Sequence, residues 1–413
     1  MKKLVVLVLT ILLFQSCNTD TEDELLFSAS VFHEGFWVMV SNDDGKVLDY
    51  HQVTDPEEIL EFYGSTKSST ISVTVIDARQ ESAGSLTTYQ HVQVGTSWLD
   101  RTSFPPIVGT PESVGTFDLT INNYNDGDTP FLSFAISDGY NFLYSYLDDV
   151  YYEGNSYHAK VHLREGVSGL LVTTYYENNP MYYRIGEVSV DDEIVIDFAD
   201  FSPMRTAHIQ TEHEQTFGYM RGVYGSDDQL HEIQSNYDLW NNSLSSRSGE
   251  FNQFGYLEGY DYYEYSVSYA EFDESYNYWN VFNFSSPSVP EQIVAPSVIV
   301  EIIDPSIGGF TATIDQEYTY QWSLFRYNTG DGSQLSWMIF NPANTSIQVP
   351  EFPSKLISEL PFLGNRGNLK FFQTQFRHLK HDTDYQDILR WFVNAEGAQS
   401  VEESESYWVT NRE

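Results

Sequence analysis

Apolar and polar residues alternate along most of this chain, and this period of two constrains the fold more than any other feature of the sequence. Three clear runs are Ile71, Val73 and Val75; Phe117, Leu119 and Ile121; and Ile194, Ile196 and Phe198. Successive side chains of a strand point to opposite faces, so each run predicts a strand with one buried face. The pattern predicts an all-β chain of about sixteen or more strands.

Short turn signals separate these runs. Asp44 and Gly45 lie between the apolar segments 36–40 and 46–53, and an Asp-Gly pair in that position is typical of a hairpin. Strands at short spacing with turns between them favour sandwiches or barrels over units in which helices connect parallel strands. We therefore expect two to four tandem antiparallel β-sandwich domains of the Ig or FnIII type.

Helix signals are scarce. The best start is at 54–58, where Asp55 can cap a helix, Pro56 suits its first position and Glu58 completes a capping box. This helix would end by Gly64. A second short helix is predicted to follow Pro353.

The N-terminus has the layout of a secretory signal peptide. Lys2 and Lys3 precede an apolar run over 4–14, which has about half the length that a membrane-spanning helix needs. The single cysteine of the chain, Cys17, follows this run after two further residues. We expect residues 1–16 to be removed during export.

Segment 13–17, Leu-Phe-Gln-Ser-Cys, resembles the lipobox of bacterial lipoproteins, and the acidic stretch over 20–24 resembles the export signal of Bacteroidota surface lipoproteins. The resemblance is limited to these N-terminal residues. It implies that Cys17 carries the lipid, that the membrane is a partner through this anchor, and that the protein is an outer membrane lipoprotein exposed at the cell surface. Several acyl chains, at ~0.8 kcal/mol per buried CH₂, would make the anchor stable. An acylated Cys17 leaves no thiol for a disulfide, a zinc site or a nucleophile.

Proline and glycine clusters predict how the chain is divided. The expected parts are a signal peptide (1–16), a tether (17–27), two β-sandwich domains (28–110 and 111–203) and a β-rich C-terminal region (204–413). A split of the last region into two domains near 285–297 remains an open alternative.

The charge excludes one class of partner. Acidic residues number 60 and basic residues 20, which gives a formal net charge of -40. So acidic a chain repels nucleic acid, and we expect no DNA or RNA partner. A hydrophobic content of 41% and an aromatic content of 16% contradict the composition of disordered chains, so the charge is read as a solvated surface.

The segment 251–284 contains 14 aromatic residues. In strands, one face would carry Tyr263, Tyr265, Val267 and Tyr269, and another Tyr276, Tyr278, Phe282 and Phe284; both sets are expected in a core. Tyr262 and Trp279 face away from these sets, and Trp279 shares its face with Asn277 and Asn283. Aromatic rings beside amides suit sugar recognition, so Tyr262 and Trp279 are candidate stacking residues for a glycan. The alternative is that both rings fill a core or a domain interface.

Histidines and acids suggest metal sites only weakly. His158 and His162 lie on the polar face of one predicted strand, where Lys160 between them would repel a cation. His378, His381, Asp382 and Asp384 have spacing that could hold a divalent ion, but basic residues interleave with them, and a polar loop is the favoured interpretation. We expect neither a metal site nor a cofactor.

No catalytic signature appears. No His-Glu pair has the second histidine of a zinc protease motif, and no phosphate loop is present. We expect a noncatalytic, lipid-anchored binding protein that contacts glycans or an envelope protein. The alternatives are a structural or interaction subunit of an outer membrane complex, and a surface glycoside hydrolase with scattered carboxylates.

Overall fold

The computed structural model of the chain describes residues 23–30, 34–55, 58–80, 83–98, 113–124, 134–137, 147–165, 169–176, 179–210, 215–223, 253–294, 296–328, 334–379, 384–394 and 404–412. Strands form 64% of the structure and helices 8%, which confirms the mostly-β prediction. Among these residues, neither α-helix is long and apolar enough to cross a membrane.

The described residues of the first part of the chain form seven strands. They are β1 (Glu24–Ala29), β2 (Phe36–Ser41), β3 (Val47–Gln52), β4 (Leu60–Gly64), β5 (Thr70–Gln80), β6 (Ala83–Gln93) and β7 (Thr96–Trp98). The predicted hairpin joins β2 to β3, where Gly45 has a φ of 78° and the Asn42 amide donates to the Lys46 carbonyl at 2.9 Å. β1 begins within the stretch predicted as a tether.

Seven strands are also described in the second part. They are β8 (Ser113–Asn122), β9 (Ala135–Ser137), β10 (Leu147–Glu153), β11 (Ser156–Arg164), β12 (Leu170–Tyr176), β13 (Asn179–Ile185) and β14 (Glu193–Asp197). They form the sheets β10-β11-β8-β14 and β13-β12-β9, and a core of its own contains side chains of both sheets.

The third part follows a short 3-10 turn at Phe198–Asp200. Its strands are β15 (Ser202–Pro203), β16 (Arg205–Gln210), β17 (Gln215–Val223), β18 (Gln253–Tyr256), β19 (Tyr262–Phe272), β20 (Tyr276–Ser286) and β21 (Gln292–Val294). β15 extends the sheet of the second part by pairing with β13.

The last part contains both α-helices that the structure describes. Its elements are β22 (Val300–Asp304), β23 (Thr311–Ile314), β24 (Tyr320–Asn328), β25 (Gln334–Pro342), α1 (Ser354–Glu359), β26 (Lys370–Leu379), α2 (Tyr385–Asn394) and β27 (Ser404–Asn411), with a 3-10 segment at Pro361–Asn368. α1 confirms the predicted helix after Pro353.

One strand order occurs three times. In each of the first three parts, the first strand of a sheet pairs antiparallel with a middle strand and parallel with the last: β1 with β4 and β7, β8 with β11 and β14, and β16 with β18 and β21. The opposite sheet contains a hairpin flanked by an earlier strand, in β2-β5-β6, β9-β12-β13 and β17-β19-β20. The chain therefore repeats one topology without visible sequence identity.

Three parts of the chain contribute to a single eleven-stranded sheet. Its order is β17-β19-β20-β27-β26-β24-β25-β6-β5-β2-β3. The junction between β20 and β27 is antiparallel, and the junction between β25 and β6 is parallel. Strands of the predicted domain 28–110 thus share a sheet with strands of the region 204–413, and the domain boundaries themselves stay predictions.

The two faces of this large sheet have different covers. We call face A the side that carries Tyr263, Tyr265 and Tyr269, and face B the side that carries Trp279, Trp408 and Trp322. Two apolar cores lie on face A, one beneath β16, β21 and β22 and one beneath α1. A third core lies on face B, between β2-β5-β6 and the sheet β4-β1-β7, and α2 packs at its margin.

The helix predicted from Asp55 to Gly64 is wrong. Residues Leu60–Gly64 form β4, in which Leu60 is 6% and Phe62 0% exposed. Their period of two matches pairing with β1, so burial in the sheet overrides the capping signals. Among the described residues of the capping segment, the Glu58 amide donates to the Asp55 carbonyl at 3.1 Å.

Candidate functional site

Strands β19 and β20 form a long hairpin in the aromatic-rich segment. On face A, Tyr263, Tyr265 and Tyr269 of β19 are at most 8% exposed, and Phe282 of β20 is fully buried. The other β20 aromatics on this face are partly buried and pack against the same core: Tyr276, Tyr278 and Phe284. The structure confirms the core interpretation of both sets.

Two of these tyrosines have hydroxyls that are hydrogen bonded to the backbone. Tyr263 donates to the Leu257 carbonyl at 2.9 Å. Tyr269 donates to the Pro296 carbonyl at 2.8 Å and accepts from the Val298 amide at 3.1 Å. Burial raises the pKa of Tyr269 and keeps this hydroxyl neutral. These contacts make both rings structural members of the core.

Face B of the same hairpin carries Trp279. It lies opposite Ala270 of β19 on one side and opposite Trp408 of β27 on the other. Trp408 in turn lies opposite Gln375 of β26, which lies opposite Trp322 of β24. Neighbouring strands are about 4.8 Å apart, so the line from Trp279 to Trp322 spans about 14 Å. We call Trp279, Trp408, Gln375 and Trp322 the tryptophan row.

Side-chain contacts join members of the row. The indole rings of Trp322 and Trp408 meet edge to face, with centroids 5.6 Å apart and an interplanar angle of 87°. Nε1 of Trp322 donates a hydrogen bond to Oε1 of the buried Gln375. All three tryptophans are partly buried, so each retains some accessible surface. Two rings at a right angle form a corner, in which a ligand ring can contact one indole by its face and the other by its edge.

Polar side chains lie beside the row on the same face. Asn277 of β20 lies opposite Thr410 of β27, which lies opposite Gln373 of β26. Each is two residues along its strand from a member of the row, and all three are partly buried. Amides and a hydroxyl therefore flank the rings, which is the combination that hydroxyl-rich ligands require.

This part of face B lies outside the four apolar cores. In the described part of the chain, no face B side chain of β19, β20 or β27 belongs to any of the four cores. Trp322 differs, because it also packs against the core beneath β4-β1-β7. The row therefore begins at the margin of a core and extends over a part of face B outside the four cores, where Ser266, Ser268, Ala270 and Ser406 are at most 9% exposed.

Tyr262 lies on face B, as the alternation predicts, but far from Trp279. Trp279 pairs with Ala270, and Tyr262 is at the other end of β19. Eight residues of strand correspond to about 27 Å, so one small ligand cannot contact both rings. The structure does not bring the two predicted stacking residues together and places Trp408 beside Trp279 instead.

No protein-family model matches the chain, and no curated protein matches it. The function is therefore inferred from the side chains and their geometry.

A second polar arrangement lies on the outer face of the sheet β10-β11-β8-β14. His162 lies between Ser113 Oγ, 3.1 Å from its Nδ1, and Asp148 Oδ2, 2.6 Å from its Nε2. Hydrolases use this combination of side chains, but Asp148 is 62% exposed and Ser113 also donates to the Gly115 carbonyl at 3.1 Å. Water weakens the hold of an exposed carboxylate on the imidazole, and a hydroxyl shared with a carbonyl is poorly placed to lose its proton. We interpret these contacts as a cross-strand ladder.

The neighbouring pairs support that interpretation. His158 Nδ1 lies 3.0 Å from Thr120 Oγ1, and its ring stacks on Tyr151 at 4.6 Å. Lys160 pairs with Asp118 at 3.4 Å. The polar-face position of both histidines is confirmed, and each is partly buried by its neighbours.

The predicted metal cluster is described only in part. His378 is the last residue but one of β26 and Asp384 precedes α2, whereas His381 and Asp382 lie outside the described residues. Within the described ranges, no three or more His, Cys, Asp or Glu residues are grouped so as to hold a metal ion. Cys17, the predicted lipid site, also lies outside these ranges.

Sequence reasoning missed Trp408, Trp322 and Gln375. Each lies in an alternating stretch, so its strand and its face could be predicted locally. Their neighbours could not, because the row depends on pairing between strands that are far apart in the chain.

Proposed function

We propose that this protein is a noncatalytic, lipid-anchored binding protein of the bacterial envelope, built from tandem β-sandwich modules, which contacts glycans through the tryptophan row. The modules are of the Ig or FnIII type in this proposal. Their support is the strand order that occurs three times and the cores that lie between pairs of sheets.

The anchor rests on the N-terminal sequence. Lys2 and Lys3, the apolar run and Cys17 have the order that lipoprotein export requires. Growth of the source cell with a radiolabelled fatty acid tests it. The parent protein should be labelled and Cys17→Ala should not, and an unlabelled parent would remove the anchor from the proposal.

The observation that carries glycan binding is the row itself. Three partly buried tryptophans and an amide lie in register on one sheet face, with Asn277, Gln373 and Thr410 beside them. Rings supply stacking area, and amides and hydroxyls supply directional hydrogen bonds to sugar hydroxyls. Partly buried aromatic residues fixed by a sheet also lose little conformational entropy on binding.

A glycan array probed with the parent and with single variants tests this proposal. We expect Trp408→Ala and Trp322→Ala to lose the signals that the parent shows. Trp37→Ala is the matched control, because Trp37 is a partly buried tryptophan on face A of the same sheet. The control should keep the parent signals; a parent that binds no glycan, or row variants that bind like the control, would contradict glycan contact through the row.

A further inference from the structure

Arg377 extends the tryptophan row at one side. It lies on face B of β26, two residues from Gln375, opposite Tyr320 of β24 and Ser406 of β27. Trp322 and Trp408 are each two residues along the strand from these partners. Arg377 is therefore diagonally adjacent to both tryptophans of the corner, at a separation of about 7–8 Å between backbones, which is within reach of long side chains.

The guanidinium of Arg377 is poorly satisfied. Nη1 donates to the Tyr320 hydroxyl at 3.4 Å, which is a long hydrogen bond to a neutral group. Nε is buried and has no hydrogen-bond partner among the described residues, and none of the ion pairs found there includes this side chain. A partly buried cation without a counter-ion is costly, so its position calls for a physical reason.

Two other arginines of the chain have the carboxylate partner that Arg377 lacks. Arg79 makes two hydrogen bonds to the Asp77 carboxylate, at 2.9 and 2.7 Å, and Arg205 lies 2.6 Å from Glu258. Arg326 and Arg366 lie over aromatic rings instead, with Cζ 3.9 and 5.7 Å from the ring centroids. A carboxylate partner is therefore frequent but not universal among the arginines of this acidic chain. Arg377 lacks one although it lies beside the candidate binding surface.

A second polar group in the same neighbourhood is also unsatisfied. The hydroxyl of Tyr385, on α2, is buried and has no hydrogen-bond partner within the described part of the chain. Tyr385 is 8% exposed and packs in the core that includes Tyr320. Burial raises the pKa of Tyr385, and the nearby Tyr89 and Tyr320 raise it further, so this hydroxyl stays protonated as a donor. Two donors near Tyr320 thus lack an acceptor.

We propose that Arg377 and the tryptophan row form one site for a glycan that carries a carboxylate, that is, for a uronic acid residue. This inference rests on the proposed function and names its ligand class. The planar guanidinium matches a carboxylate in shape and charge, and the row beside it stacks on the sugar rings.

Matched ligand pairs test the proposal on the purified full chain. Oligosaccharides of galacturonate, glucuronate and mannuronate are titrated in a calorimeter, each beside its carboxyl-reduced, neutral form. We expect at least one acidic form to bind about ten- to a hundredfold more tightly than its neutral partner, which is the range of a charge-assisted hydrogen bond. Arg377→Gln should remove this preference and leave the affinity for the neutral form unchanged. Arg377→Lys should retain part of it, because a point charge replaces a planar fork.

Arg326→Gln is the matched control. Arg326 is an exposed arginine on face B of the neighbouring strand β24, with its guanidinium 3.9 Å from the centre of the Phe372 ring. This variant should keep the preference for the acidic form. Thermal unfolding of each variant shows whether the fold is intact, and the comparison of ligand pairs on the parent stands even if Arg377→Gln does not fold.

The outcomes separate the two proposals. Binding of glycans by the parent without a preference for the acidic form, or an equal preference in Arg377→Gln, overturns the role of Arg377 and leaves glycan binding in place. Absence of binding to acidic and neutral forms alike, on the array and in the calorimeter, overturns the proposed function itself.

Discussion

The two faces of the β19–β20 hairpin both carry aromatic residues, in different surroundings. On face A, Tyr269 and Phe282 are at 0% exposure, and the tyrosine hydroxyl is held by backbone groups of 296 and 298. On face B, Trp279 is partly buried, and its in-register neighbour Trp408 contacts another tryptophan edge to face. Small and polar residues of β19 surround the face B rings, among them Ser268 and Ala270.

This difference distinguishes aromatic residues that form the apolar core from partly buried aromatic residues that keep some accessible surface. A core ring contacts apolar atoms on all sides, so its removal leaves a cavity. A ring at a surface loses fewer contacts when it is removed, and a ligand can contact its remaining area. Substitutions on face A of the hairpin should therefore mainly reduce stability, and substitutions on face B should mainly reduce binding.

Phe282→Ala, on face A, should give the largest loss of stability. We expect a loss of about 3–5 kcal/mol in the free energy of unfolding, because a fully buried ring leaves a cavity between β19-β20 and the covering strands. Denaturant titration followed by tryptophan fluorescence measures it. Phe272→Ala, at a position 52% exposed on the same hairpin, should cost under about 1 kcal/mol. Equal losses in the two variants would contradict the distinction between the faces.

Tyr269→Phe should cost less, about 1–3 kcal/mol, because it keeps the ring and leaves the Pro296 carbonyl and the Val298 amide without their partner. The same titration measures it, and Tyr151→Phe, at a tyrosine 51% exposed, is the comparison that should change little. A neutral result for Tyr269→Phe would mean that the hydroxyl contributes nothing to the core of face A.

The Trp322 and Trp408 rings should be coupled by about 0.5–1.5 kcal/mol, the range for an edge-to-face pair. A double-mutant cycle of Trp322→Ala and Trp408→Ala, measured by unfolding, isolates this coupling. Additive single effects would show that the corner does not exist as a contact in solution. The glycan-binding loss in each single variant should exceed what its change in stability explains.

Asp273 links the two strands at the hairpin turn and should give the smallest effect. Burial tends to raise the pKa of this carboxyl, but amides of Ser275 and Tyr276 and the hydroxyl of Tyr278 donate to it and, with Arg412, lower its pKa below the ordinary value of 3.8. A carboxyl whose pKa is lowered in the folded state contributes stability at any pH above its unfolded pKa. This contribution is lost as the pH falls through the folded pKa. The stability difference between the parent and Asp273→Asn should therefore shrink below about pH 4. A difference that is constant from pH 7 to pH 3 would contradict the assignment.

Local sequence patterns predict the strands and their faces well. Alternation places Val267 and Tyr269 in the core and Trp279 on the opposite face, and the structure agrees. It also places Tyr262 on that opposite face, which is correct. Alternation does not predict distance along a strand, however, and Tyr262 lies far from the row. Side-chain period reports direction and carries no information about which strand is the neighbour.

Local sequence patterns predict the helices less well than the strands. Capping residues at 54–58 resemble a helix start, yet Leu60 and Phe62 alternate into the core as part of β4. α2 also follows a capping residue, since the Asp387 amide donates to Asp384 Oδ1 at 2.9 Å, and here Tyr385, Ile388 and Leu389 share one buried stripe at a spacing of three and four. In both segments, the spacing of the buried residues decides the structure, and the capping residues adapt to it.

The parallel pairing of β6 with β25 controls when this molecule can complete its fold. Trp337 Nε1 donates to Thr88 Oγ1 at 2.9 Å across a sequence separation of 249 residues. Contacts of such high order form slowly, because a long loop must close before they contribute. Until the C-terminal strands arrive, β6 has an open hydrogen-bonding edge that can pair with another chain. A chain synthesised from its N-terminus would therefore expose this edge until β25 is available to pair with it.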